Sequence, residues 1–214
     1  MSRFKPHIAL LICNIVWAMD YPFYNIVLPH YVHPMAMVAG SLVVTALFSL
    51  VPLLWQKAEK VERADIRKLI GAALLIGVLR KVFIMYGLSM TSPIDASVVT
   101  TTAPIFAMII AALYLREPIT GMKIAGVAIG AVGALMLILS SPAAASSGSG
   151  SIGGDLLCMF AQLSYATYFV VFKGLIGRYG PVTLMKWMFL FATLCWLPFG
   201  AEDFVSTRWQ AFGW

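Results

Sequence analysis

The sequence predicts an all-α membrane protein with about seven transmembrane helices. Of its 214 residues, 61% are hydrophobic and only 11% are charged. Its mean hydropathy is +0.88. Water-soluble domains carry about 25% charged residues, which a globular surface needs for contact with water. The composition therefore argues against a soluble enzyme, a nucleic-acid-binding protein and a disordered chain.

Seven apolar segments of spanning length follow one another along the chain. A helix needs about 20 apolar residues to cross the hydrocarbon core of a bilayer. Most connections are short, as at residues 30–34 and 91–94, whereas residues 140–151 form a longer uncharged stretch of Ser, Gly and Ala. That stretch predicts a flexible linker between two units. The predicted spans are 8–28, 35–55, 69–89, 95–115, 122–140, 153–173 and 182–200.

Basic residues gather at alternate connections and predict the orientation of the chain. Arg3 and Lys5 precede the first span, and five basic residues lie in the 57–68 connection. The others on this side are Arg116, Lys123, Lys173, Arg178 and Lys186. Basic residues accumulate on the cytoplasmic side of a membrane. We therefore expect an integral protein of the bacterial inner membrane with a cytoplasmic N-terminus.

The sixth span begins to repeat the first. Residues 14–18 (NIVWA) align with residues 162–166 (QLSYA). Weak internal similarity of this kind is typical of transporters built from duplicated halves. Because the first unit has five predicted spans, an odd number, its copy enters the membrane in the inverted orientation. An inverted repeat of this kind places a substrate pathway between the two units, near the middle of the membrane.

Several ordered motifs resemble one transporter family. They are residues 86–97 (YGLSMTSPIDAS), 101–106 (TTAPIF), 115–120 (LREPIT), 126–133 (GVAIGAVG) and 153–157 (GGDLL). In this order they resemble the drug/metabolite transporter superfamily, and more narrowly the EamA-type permeases.

The resemblance implies ten spans in two five-span repeats, and it divides the chain into three parts. Residues 1–140 correspond to the first EamA repeat and residues 141–151 to the flexible linker. Residues 152–214 correspond to a partial second repeat, with two helices and an external tail. The last three spans of the family pattern are therefore expected to be absent from this sequence.

Three ionisable residues within predicted spans are the first candidates for a functional site. Asp20 lies in the first span, and Arg80 and Lys81 lie in the third. A charge in the bilayer costs about 2.5–3.5 kcal/mol on insertion scales, so such residues are usually functional. At about 1.5 Å per residue, Asp20 and Arg80 lie at similar depth. We expect Asp20 to pair with Arg80 or Lys81, either lining the pathway or fixing helix packing.

Other polar and aromatic residues extend the predicted substrate pathway. Pro104 interrupts the fourth span and frees backbone carbonyls, and the preceding Thr101 either bonds those carbonyls or contacts substrate. An aromatic, hydrogen-bonding lining suits a small organic solute. The residues that would supply it are Trp17, Tyr21, Gln162 and Tyr165.

A glycine pattern in the fifth span predicts helix packing and not chemistry. Gly126, Gly130 and Gly133 form a stripe of small residues suited to close contact between helices. The sequence has no nucleotide-binding loop, nucleophile triad or cysteine–histidine cluster. We therefore expect no enzymatic activity, no cofactor and no metal.

The sequence favours a secondary permease for small organic metabolites or drugs, with the lipid bilayer as its surroundings and no nucleic-acid partner. An alternative is a truncated membrane protein that does not transport, or a subunit that needs a partner chain. A homo-oligomer, in which several copies complete one bundle, is a further alternative.

Overall fold

The computed structural model describes residues 4–28, 32–55, 59–139 and 152–207. Every regular element in these ranges is helical, which confirms the predicted all-α class. The proposed linker lies outside the described residues, so the division into repeats stays a prediction.

Within the described ranges, seven long helices follow one another, and several contain an irregularity. The first helix is α1 (Phe4–Val27), and the second is α2 (Pro34–Leu50) with a 3-10 turn at Val51–Leu54. The third runs from Arg63 to Met90 as α3 (Arg63–Ala72), a π-helical segment (Ala73–Leu79) and α4 (Arg80–Met90). The fourth helix consists of α5 (Pro93–Thr100) and α6 (Ala103–Tyr114), and the fifth is α7 (Gly121–Leu139). The sixth is α8 (Ile152–Val171), which is followed by the short α9 (Lys173–Arg178). The seventh is α10 (Pro181–Ser206).

Five of these helices are long and apolar enough to cross a membrane: the second, third, fourth, sixth and seventh. The first helix has 24 residues and the fifth has 19. Both lengths are close to the roughly 20 residues that one span needs. A chain with several such helices is an integral membrane protein. The number of spans, predicted as about seven, stays a prediction.

The core lies where the second, third, sixth and seventh helices meet. The second helix packs along the seventh, and the third and fourth pack against the sixth. Small residues allow the closest approaches: a Cβ on Gly87 would lie 2.5 Å from the Cys158 sulfur, and a Cβ on Gly77 would clash with Ala192. Leu42, Leu69 and Leu88 are almost fully buried at this centre.

The connections form two chemically different ends. The end that we call the charged end holds the 59–63, 115–120 and 171–181 connections, whose acidic and basic side chains contact one another. At the opposite end, His33 lies 3.8 Å from Asp203, and Thr91 donates a hydrogen bond to Asp155. The helices therefore alternate in direction along the chain.

Candidate functional site

A small cavity lies between the first and third helices. Its volume is about 80 Å³, and its polar lining consists of Asp20, Tyr24, Arg80 and Lys81. Ile84, Met85 and Leu88 of the third helix supply its apolar lining. The structure thus brings the three ionisable candidates from the sequence to one place. Tyr24, one turn after Asp20, was not among those candidates.

The π-helical segment directly precedes the two cations. The N–H group of Arg80 bonds the carbonyl of Leu75, five residues earlier, where an α-helix would use a residue four earlier. The wider turn changes the direction in which Arg80 and Lys81 leave the helix axis. A π-helical turn is uncommon, and it often occurs at a functional site.

Arg80 and Lys81 contact different neighbouring helices. The guanidinium carbon of Arg80 lies 4.9 Å from the ring centre of Tyr165 on the sixth helix. Lys81 Nζ donates a 3.0 Å hydrogen bond to Ser41 Oγ on the second helix. The predicted direct pairing is not made: among the described ion pairs, none joins Asp20 to either cation within 4.0 Å. Asp20 shares the cavity with them instead.

Gln162 lies one turn before Tyr165 on the sixth helix and is only 3% exposed. Its Nε2 atom and the Nε atom of Arg80 are both buried and have no hydrogen-bond partner among the described residues. Buried polar groups are normally paired, so each unpaired donor requires an explanation. These two donors lie on helices that pack against each other.

Thr101 and Pro104 lie away from this cavity. The fourth helix breaks at Thr101–Thr102, and Pro104 is the second residue of α6. The Thr101 hydroxyl donates a hydrogen bond to the carbonyl of Val98. Thr101 and Pro104 line a groove of about 650 Å³ between the fourth and fifth helices. The structure therefore divides the predicted pathway residues between two places.

The glycine stripe of the fifth helix lines the same groove. Gly126 and Gly130 border it, and a Cβ on Gly126, Gly130 or Gly133 would have no heavy atom within 4 Å. The predicted close packing of this stripe is thus not present in the part of the chain that the structure describes. The side chains of Trp17 and Tyr21, two other predicted pathway residues, lie outside the described part.

A polar cluster around Asp65, which the sequence did not indicate, lies at the charged end. The Asp65 side chain is 2% exposed, and its carboxylate accepts hydrogen bonds from Lys68 Nζ (2.9 Å), Arg178 Nη1 (2.7 Å) and the Tyr179 hydroxyl (3.0 Å). The hydrogen bond to Asp65 raises the pKa of the Arg178 guanidinium above its usual value. The only sequence signal was an acidic residue within a basic connection, which does not identify a partner 113 positions away.

Glu117 makes the second contact between connections at this end. Its carboxylate accepts a 3.0 Å hydrogen bond from Lys173 Nζ and lies 3.7 Å from Lys123 Nζ. These cations, Lys173 above all, hold the pKa of Glu117 below its usual value. Arg116 beside it has a φ of 55°, a left-handed conformation that forms the tight turn before Pro118.

The described residues contain no group of three or more His, Cys, Asp or Glu side chains that could hold a metal ion. The polar groups that line the cavity are a guanidinium, an ammonium, a phenol and one carboxylate. Such a set suits the binding of an organic solute with acceptor atoms.

Comparison with known proteins agrees with this architecture. The EamA-like transporter family matches residues 4–139, which is more than half of the chain. A protein of Archaeoglobus fulgidus named "Uncharacterized transporter" is 29% identical over 157 residues, covering 73% of this chain. The chain spans about half, 53%, of that relative's length. With a family match of this extent on an all-helical membrane architecture, the chain belongs to the EamA-like transporter family.

Proposed function

We propose that this protein is a secondary transporter that moves small organic metabolites or drugs across the inner membrane. The cavity bordered by Asp20, Tyr24, Arg80 and Lys81 is the place where substrate binds. Family membership supports transport as the general activity. The cavity and its charges are what support a specific binding place.

The position of the charges within the helices carries this proposal. Asp20 is seven residues from the end of the first helix at Val27, and Arg80 is ten residues from Met90 at the end of the third. At about 1.5 Å per residue these separations are roughly 10 and 15 Å. With the helix ends at the edges of a hydrocarbon core of about 30 Å, we expect both groups to lie at least about 10 Å inside it. Charges are retained at such depth mainly where they line a solute or ion pathway.

Alternating access requires the cavity to open to one side of the membrane at a time. At the charged end, the Asp65 cluster and the Glu117–Lys173 pair join connections that lie far apart in the sequence. We propose that these contacts form the closed gate on that side and separate when the cavity opens there. Rocking of packed helices between two arrangements is a common form of such a transition.

Reconstitution into liposomes tests the proposed transport. Purified chain is placed in vesicles, and uptake is measured for a panel of labelled amino acids, nucleobases, organic acids and drugs. We expect uptake of at least one solute above empty vesicles, with at least tenfold loss in Asp20→Asn and in Arg80→Gln. Flux no higher than in empty vesicles across the panel would contradict transport by this chain.

Two variants outside the cavity provide matched controls. Lys186→Gln removes a cation that lies 5.1 Å from the ring centre of its neighbour Trp187, and Glu202→Gln removes an exposed acid near the end of the seventh helix. Both should retain flux. The double variant Asp20→Asn/Arg80→Gln tests functional coupling of the two charges. If the double variant transports no better than either single variant, charge compensation between the two loses its support.

A subunit that needs a partner chain is the second candidate. The groove between the fourth and fifth helices favours it, because its lining glycines meet no other heavy atom within 4 Å. Mass measurement of the protein in lipid nanodiscs distinguishes the two candidates. A single chain per disc together with measurable flux would exclude an obligate partner.

A further inference from the structure

Ion pairing around the cavity differs from that in the polar clusters at the charged end. At the charged end, Lys68, Lys123, Lys173 and Arg178 each lie within 4.0 Å of a carboxylate oxygen. At the cavity, two cations share one carboxylate and, among the described ion pairs, neither contacts it. With all three groups ionised, the lining carries a net charge of +1. An uncompensated cation in a low-dielectric interior favours the entry of an anion.

Unused hydrogen-bond donors lie beside the same residues. Arg80 Nε is buried without a partner among the described residues, and so is Nε2 of Gln162. The Arg80 guanidinium lies over Tyr165, which is one turn from Gln162 on the sixth helix. Because buried donors are normally paired, each of these atoms calls for a partner outside the described residues, such as a water molecule or a bound ligand. Both groups can only donate through these atoms, so the missing partner is an acceptor.

The size of the cavity limits what enters it. The cavity volume of about 80 Å³ is two to three times the volume of roughly 30 Å³ that one water molecule occupies in the liquid. This space accommodates a carboxylate or phosphate group, whereas the remainder of an organic solute has to lie beyond it. The planar guanidinium of Arg80 matches the geometry of either anion.

We infer that the substrate is an organic anion whose carboxylate or phosphate group binds at the cavity, beside Arg80 and Lys81. This inference rests on the proposed function, because it names the substrate class of the proposed site. Asp20 disfavours a second anionic group on the first-helix side of the cavity.

Thermal unfolding of the purified chain in detergent tests the inference without any transport step. The probes are benzoate and phenyl phosphate, with the uncharged benzamide and phenol as matched controls, all at constant ionic strength. At one hundred times its Kd, a bound ligand raises Tm by roughly 5–10 °C for a chain of this size. We expect benzoate or phenyl phosphate to produce this rise and the two neutral probes to produce none. Which acid binds distinguishes a carboxylate site from a phosphate site.

Three variants locate the effect, since each removes one positive charge from a membrane helix. Arg80→Gln and Lys81→Gln should each raise the Kd of the anion at least tenfold, which reduces the rise in Tm at a fixed anion concentration. Lys186→Gln should retain the full rise. Equal stabilisation by acids and neutral probes overturns the inference, and this comparison needs no variant to fold. Equal loss in Lys186→Gln also overturns it, because the effect would then follow net charge and not the cavity.

Failure of this inference is distinguishable from failure of the proposed function. Stabilisation by anions with no flux in vesicles would contradict transport and leave anion binding intact. Flux of neutral or cationic solutes without anion-induced stabilisation would support transport and overturn the anionic substrate.

Discussion

The sequence alone identified three charged residues as functional candidates: Asp20, Arg80 and Lys81. Each was identifiable because a charge within an apolar segment is costly and therefore rarely incidental. Their partners were not identifiable. Lys81 bonds Ser41, 40 positions earlier, and Arg80 lies over Tyr165, on the sixth helix. Such contacts depend on how helices rotate against each other, which hydropathy alone does not report.

The pH dependence of the charged end follows from Glu117. Its pKa lies below the ordinary value of 4.5, so the folded chain retains the charged form more strongly than a free carboxyl does. The contacts with Lys173 and Lys123 therefore stabilise this end fully above pH 4.5 and are lost as the pH falls through the lowered pKa. We expect amide protection in residues 115–123 to be constant from pH 7 to 5 and to decrease at lower pH.

Hydrogen–deuterium exchange, corrected for the intrinsic rate at each pH, measures this dependence. Glu117→Gln should reduce protection at pH values above the lowered pKa and remove the pH-dependent step, whereas Glu202→Gln should leave the step in place. An unchanged step in Glu117→Gln would assign the titration to another group.

At the scale of elements, the third and fourth helices are the irregular ones. The break in the fourth helix follows from a local signal, since Pro104 cannot donate a backbone hydrogen bond. The π-helical segment at Ala73–Leu79 has no comparable signal in its sequence, which is apolar and includes Gly77. The segment packs against the seventh and sixth helices. Local chemistry thus predicted the break in the fourth helix, whereas the π-helical turn became visible only in the tertiary structure.

Two glycine environments give opposite expectations for alanine. At Gly87, a Cβ would lie 2.5 Å from the Cys158 sulfur and 3.0 Å from the Gly154 carbonyl, so Gly87→Ala should destabilise the fold by about 1–3 kcal/mol. At Gly126 a Cβ meets nothing within 4 Å, so Gly126→Ala should be neutral or stabilising by up to about 1 kcal/mol. Thermal unfolding in detergent measures both, at about 2–4 °C per kcal/mol.

The same comparison tests the fifth helix. If Gly126→Ala proves as destabilising as Gly87→Ala, the glycine stripe packs against a further helix. That result would support the partner-chain alternative, since the described residues place no atom there.

For the whole molecule, the two ends predict an orientation. The basic residues of the 59–63 connection and of the first turns of α3 lie at the charged end, and Ser206 lies at the other end of the bundle. Because basic connections stay in the cytoplasm, the charged end should face the cytoplasm. In a chain with Cys13, Cys158 and Cys195 replaced by Ala, we expect a membrane-impermeant maleimide to label Ser206→Cys on intact cells. Lys60→Cys should react only after permeabilisation.

The labelling experiment has a clear contrary result. Reaction of Lys60→Cys and protection of Ser206→Cys on intact cells would invert the orientation. Reaction of both in intact cells would place the two ends on one side and contradict the alternation of helix directions.

The sequence by itself determined the class of this protein, because membrane helices must be long, apolar and internally hydrogen-bonded, and all three requirements act locally along the chain. It also determined which charges were exceptional, since their cost depends only on the apolar segments around them. The tertiary structure alone decided that Asp20 shares a cavity with Arg80 and Lys81, and that Thr101 and Pro104 line a separate groove. The physical reason is that the rotation and contacts of each helix are set by side-chain packing between distant segments, which no local pattern encodes.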